Sequence, residues 1–258
     1  MSLYERVVAV RVGRSGGRAP DRLMDASPLF WLSTFAAVYA FFVAAPAVFH
    51  GAFPLYSNIE WGDALDVLTP FVVFGVLWMA LRSGAGPLDP VLLFAFVALA
   101  LVWTQGQGMH LSSNSIEHQV PDGASGPLPN VIHFYDEQLS HYIHQSADML
   151  LPLFLLAVVW RGQGAVRSAR GWMVVLPAAL YGTVVAVSSI EANVIPLALP
   201  VMAGTGLVVG VAYQARPRLR ESSLFAFSGV AVVVALGVLV GWGAYHGGWP
   251  ELSEVGLI

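Results

Sequence analysis

Residues 110–148 read HLSSNSIEHQVPDGASGPLPNVIHFYDEQLSHYIHQSAD, a polar hairpin flanked on both sides by long apolar runs. It holds five of the seven histidines and five carboxylates, around a Pro/Gly-rich turn. The flanking runs, 89–110 and 141–160, have the length and apolarity needed to cross a bilayer. Ionisable groups next to or inside such spans cost free energy, and normally face a bundle interior where they serve a function.

The same apolar pattern recurs along the chain. It predicts seven helices at 28–49, 64–81, 89–110, 141–160, 171–190, 194–214 and 222–245. Composition agrees: 57% hydrophobic residues, 11% charged residues and a mean hydropathy of +0.69 exclude an ordinary soluble domain. The expected fold class is therefore an all-α integral membrane protein. A tail at 1–27 with five arginines precedes a single seven-helix transmembrane domain at 28–258. The tail lacks the h-region and cleavage site of a signal peptide. The chain has no cysteine, which excludes thiolate metal sites and disulfides. It also has no lysine, so no Schiff-base cofactor such as retinal can form. Nothing suggests a nucleic-acid partner.

The loops set the orientation. Arg82, then Arg161, Arg167 and Arg170, then Arg216, Arg218 and Arg220 join the N-terminal five on one side of the predicted membrane. The positive-inside rule makes that side, and the N-terminus, cytoplasmic, and the C-terminus extracytoplasmic. All seven histidines, and Glu191 between spans five and six, fall on the opposite face. The expected location is a multi-pass protein of the cell membrane with its chemistry facing outward.

A helix four beginning at Asn130, as N-cap, must draw polar residues down to about His141 into the membrane to complete its span. At 100° per residue, His133, Glu137, His141, His144 and Asp148 share a stripe about 80° wide. His110, Asn114, Glu117 and His118 form a second, about 100° wide. Antiparallel pairing brings His110 level with His141, Asn114 with Glu137 and His118 with His133. Asp136, about 60–100° off the stripe, reads as a solvated or cap-side charge. Two facing stripes of imidazole and carboxylate suit a divalent metal, zinc first and then iron or manganese. The alternative is a histidine–carboxylate network that closes the cap or handles protons.

The expected metal ligands are His110, His141 and His144, with His118, Glu191 and His246 as further candidates. Glu137 is the candidate general base, and Asn114 the group that orients water or an oxyanion. These roles describe a metal-dependent membrane hydrolase acting on a lipid or other amphiphile. A metal or proton transporter is one alternative, and a haem, redox or accessory subunit of a membrane complex is another. The spacing HxxxExxxHxxH at 133–144 is neither the zincin HExxH nor a bundle di-iron ExxH pair. In architecture the chain resembles the seven-helix intramembrane zinc hydrolases related to alkaline ceramidases and adiponectin receptors, which gather histidines, an aspartate and a serine at one membrane face. Where those proteins carry two histidines on the last helix, this chain has His246 alone, so no residue assignment is carried over.

Overall fold

The computed structural model describes residues 27–46, 48–117, 119–121, 124–162 and 171–257. Among these residues, seven long helices run in chain order: α1 (Pro28–Ala44), α2 (Trp61–Ala85), α3 (Pro90–Glu117), α4 (Pro127–Trp160), α5 (Val175–Glu191), α6 (Ile195–Ala215) and α7 (Ser223–His246). Five of them, α2, α3, α4, α6 and α7, are long and apolar enough to cross a membrane. α1 and α5 are apolar but shorter, at 17 residues each. The predicted tail and Arg167 and Arg170 lie outside the described residues.

Local chemistry explains where the helices start. Ser27 accepts a hydrogen bond from the Phe30 amide at 3.2 Å, with Pro28 just inside α1. Glu60 and Asp63 form a reciprocal capping box at the start of α2. Ser222 accepts from the Phe225 amide at the head of α7. Three of the differences from the expected boundaries bear on the site. α1 ends at Ala44 rather than 49, and a short antiparallel hairpin, β1 (Ala52–Phe53) and β2 (Tyr56–Glu60), follows it. α4 begins at Pro127, with Gly126 in the N-cap position, so Asn130 lies inside the helix and does not cap it. α3 continues seven residues past the expected end, to Glu117.

α4 is the most buried of the membrane-length helices and packs against α3, α6 and α7. α1 packs on α2 and α5, and α5 lies along α7. Where α1, α5 and α7 meet, Phe35, Tyr39, Tyr181 and Phe227 form an aromatic cluster with ring centroids 4.8–6.2 Å apart, every ring buried. Below this plug, the middle of α4 is apolar and buried from Met149 to Val159 with few breaks. The helix ends therefore sort into two faces. At one, Arg161 pairs with Asp89 at 3.0 Å and Arg216 lies 3.8 Å over the Trp160 ring. At the other lie His110, Glu117, His133, Glu137 and Glu191, near the C-terminal end of α3, the N-terminal half of α4 and the end of α5.

Candidate metal centre

α4 does not keep one helical period through the site. Residues Phe134–Ser140 form a π-helix, whose i→i+5 bonds put extra residues into each turn. The Ser140 hydroxyl donates to the Asp136 carbonyl within it. Residues in the wider turn lag behind the 100° spacing, and this overturns the expectation for Asp136. Its carboxylate is not solvated but turned inward, 1% exposed, with Oδ1 2.7 Å from His110 Nδ1. π-turns of this kind occur disproportionately at functional sites.

Three carboxylates converge here. Glu117, Asp136 and Glu137 each place a carboxylate oxygen within 4.8 Å of the others. Each is also matched with one histidine. Asp136 faces His110, Glu117 faces His133 at 3.8 Å, and Glu137 faces His141 at 3.8 Å. The His110 and His141 rings lie 4.9 Å apart, and His141 and His144 5.6 Å apart. The predicted pairing of His110 with His141 therefore holds. His144 directs Nδ1 to the Ser140 carbonyl at 3.2 Å, which leaves Nε2 as the nitrogen with a free lone pair.

Close approach of α3 and α4 makes this possible. A Cβ on Gly106 would fall 2.5 Å from the His144 amide nitrogen and 2.8 Å from the Ser140 carbonyl. Only glycine lets the two backbones meet at the level of the histidines.

Three buried polar atoms at this point have no aligned hydrogen-bond partner among the described residues: His110 Nδ1, Asp136 Oδ1 and His141 Nδ1. His110 and Asp136 approach closely but out of line. Buried polar groups are satisfied almost everywhere in folded proteins; here His110 Nδ1 and Asp136 Oδ1 face each other at 2.7 Å, and His141 Nδ1 stands 3.8 Å from Glu137.

The site opens onto a cavity of about 880 Å³ between the histidine-bearing ends of α1–α5 and the C-terminal segment. Polar groups line it from mouth to floor: His133 and Glu137, then His110, His141 and Asp66, then Gln107, His144 and Gln145, and finally Asp148. Phe42, Val43, Val184 and Val187 form an apolar flank. Asp66 lies beside Gln107, and the nearby Thr69 hydroxyl donates to the Leu65 carbonyl at 3.1 Å. Asp148 lies beside Trp103 and Tyr39.

The remaining predicted residues are placed differently. His118 lies outside the described residues. Asn114 donates to Asp63 on α2 at 3.3 Å and is not among the residues lining the cavity. Glu191 borders the cavity, but its Oε2 accepts the amides of Leu252 at 2.7 Å and Ser253 at 3.3 Å, which pins the C-terminal segment across the mouth. His246 stacks between Trp242 and Tyr245, with ring centroids 4.2 and 4.7 Å away, outside the cavity lining. Asp136 and Asp66 were missed as site residues. For Asp66 a signal existed: a carboxylate inside the apolar run 64–81 is an intramembrane charge, a functional mark in its own right.

Comparison with protein-family models, with characterised proteins and with solved structures finds no match for this chain.

Proposed function

We propose that this protein is a metal-dependent enzyme of the cell membrane, a hydrolase of a lipid or another amphiphile, with its centre on the extracytoplasmic face. The observation that carries the proposal is the meeting of the Glu117, Asp136 and Glu137 carboxylates within 4.8 Å of one another, each beside one imidazole, of His133, His110 and His141 in turn. His110, His141 and His144 supply the imidazoles, and Asp136 holds or orients the His110 ring. This donor set has nitrogen and oxygen and no sulfur, which suits zinc, and after it iron or manganese. The positive-inside rule, applied to the arginine-bearing end, supports the extracytoplasmic placement.

A divalent ion would polarise a scissile carbonyl or phosphoryl group and bring the pKa of bound water down to about 7. Glu137, beside His141 and half exposed to the cavity, is placed to accept a proton from that water. The cavity volume lies within the usual range for small-molecule sites, roughly 300–1,000 Å³. Its apolar flank matches an amphiphile's chain.

A conducting path is the weaker reading. The cavity floor meets the Phe35, Tyr39, Tyr181 and Phe227 cluster, beyond which α4 is apolar to its end. Haem ligation needs two facing histidines and gives no use to the carboxylate trio.

The test is elemental analysis and an absorption spectrum of detergent-purified protein, beside a His110→Ala/His141→Ala variant. One or two equivalents of metal, lost in the variant, support the reading. Metal-free, colourless protein prepared without chelators would overturn it.

A further inference from the structure

We infer that the deep half of the cavity is a binding site for an organic ammonium group, with Asp148 as its counter-ion and Asp66, higher up at the level of His110, as a second carboxylate. Both carboxylates line the cavity and both are more than nine-tenths buried. Their neighbours are neutral: Asp148 lies beside the Trp103 indole and the Tyr39 hydroxyl, and Asp66 beside Gln107. Trp103 Nε1 and the Tyr39 hydroxyl, both in fully buried side chains, make no aligned hydrogen bond among the described residues.

The charge inventory points to a cation. Among the described residues the cavity is lined by Asp66, Glu137, Asp148, Glu191 and Glu251, by four histidines and by no arginine. The chain has no lysine, and the described arginines lie at the opposite face or pair there. A carboxylate in a membrane interior without a basic partner is costly, and is relieved by protonation, by a partner charge or by a bound cation. The histidines at the mouth are taken up by Asp136, Glu117 and Glu137. From His141 to Asp148 is seven residues of helix, about 10 Å, so the floor lies well below the proposed metal. An anionic head would meet only repulsion here.

This names the substrate class of the proposed enzyme, an amphiphile with a positively charged nitrogen, and in that role it rests on the enzymatic reading. Binding itself needs no metal. The experiment is calorimetric titration of the full-length protein in a neutral detergent with hexylammonium, hexanol and hexanoate at fixed ionic strength. Hexylammonium is expected to bind saturably, at least tenfold tighter than hexanol, with no binding of hexanoate. Asp148→Asn should weaken hexylammonium at least tenfold, and Asp66→Asn to a lesser degree. Where Asp148→Asn fails to fold, the preference for hexylammonium over hexanol in the unaltered protein decides alone. Equal binding of hexylammonium and hexanol would overturn the inference, as would full displacement by sodium ions, which would make the site inorganic. Retained hexylammonium binding in His110→Ala/His141→Ala protein keeps this site separate from the metal. Loss of metal with binding intact, or the reverse, therefore tells which of the two readings has failed.

Discussion

Gly106 of α3 lies against the backbone of His144 on α4 so closely that one added methyl would sit 2.5 Å from the His144 amide nitrogen and 2.7 Å from its Cβ. The two helices that carry the site therefore meet backbone to backbone where the imidazoles are. Gly106→Ala must push α3 from α4 or twist His144 out of place. Overpacking of this kind costs about 1–3 kcal/mol, and a lower melting temperature with reduced metal content is expected. Gly108 is the control, because nothing lies within 4 Å of its added Cβ. There Ala should be neutral or stabilising by up to about 1 kcal/mol, the helix-propensity difference. Equal effects at the two positions would show that the contact does not hold the site together.

The helices were legible because apolar runs of membrane length leave few alternatives, and the pairing of His110 with His141 followed from a short turn between two such helices. Asp136 was not legible. A seven-residue π-turn cannot be read from hydrophobic periodicity, and it rotates Asp136 from the solvated side to the interior. The role of Asn114 was hidden for another reason. Its partner, Asp63, lies 51 residues earlier on α2, and no local spacing reports that contact. Glu191 and His246 were correctly placed at the histidine-bearing face, but the C-terminal segment that takes up Glu191 has no periodic pattern to announce where it docks.

Glu137 and Asp136 are adjacent in sequence and should behave differently on substitution. Glu137 is half exposed to the cavity and stands 3.8 Å from His141, whereas Asp136 is buried against His110. Glu137→Gln keeps shape and hydrogen bonding but cannot accept a proton. It should retain metal and lose turnover by about 10²–10⁴-fold, the usual contribution of a general base. Asp136→Asn should instead lower metal affinity, by about 10–100-fold if its part is to orient His110. Metal titration and single-turnover rates on the two variants separate the roles. Metal loss in Glu137→Gln would make Glu137 a ligand.

At the opposite face, Asp89 should give the protein an acid-sensitive joint. Its carboxylate accepts the amides of Val91 and Leu92 at 2.9 and 3.0 Å and pairs with Arg161. The Leu92 amide first, and then Arg161, hold its pKa below the ordinary carboxylate value. A depressed folded-state pKa contributes stability that is complete above the unfolded value, roughly pH 4, and is lost as pH falls through the folded one. Melting temperatures measured from pH 7 to pH 3 should therefore fall more steeply for the unaltered protein below pH 4 than for Asp89→Ala. The two curves should approach each other at the acid end. Parallel curves would mean that the pair contributes nothing.

Glu191 distinguishes a ligand from a pin. Its Oε2 accepts two amides of the C-terminal segment, whose Trp249 indole donates to the Leu239 carbonyl and fills the space that the missing Gly243 Cβ leaves. Glu191→Ala removes a charged acceptor, which costs on the order of 1.5–3 kcal/mol locally. Faster hydrogen exchange at Leu252 and Ser253 is expected, with metal content unchanged. Metal loss without faster exchange would restore Glu191 to the ligand set. Glu251 gives the opposite sign. Burial first, and then Glu254 and Glu191, raise its pKa, so its ionised form opposes docking. Protonation removes that penalty as pH falls through the raised value. Glu251→Gln should therefore slow exchange at Leu252 and Ser253 at pH 7. Relative to the unaltered protein, that gain should shrink steadily on acidification. A gain independent of pH would trace the effect to side-chain shape and not to charge.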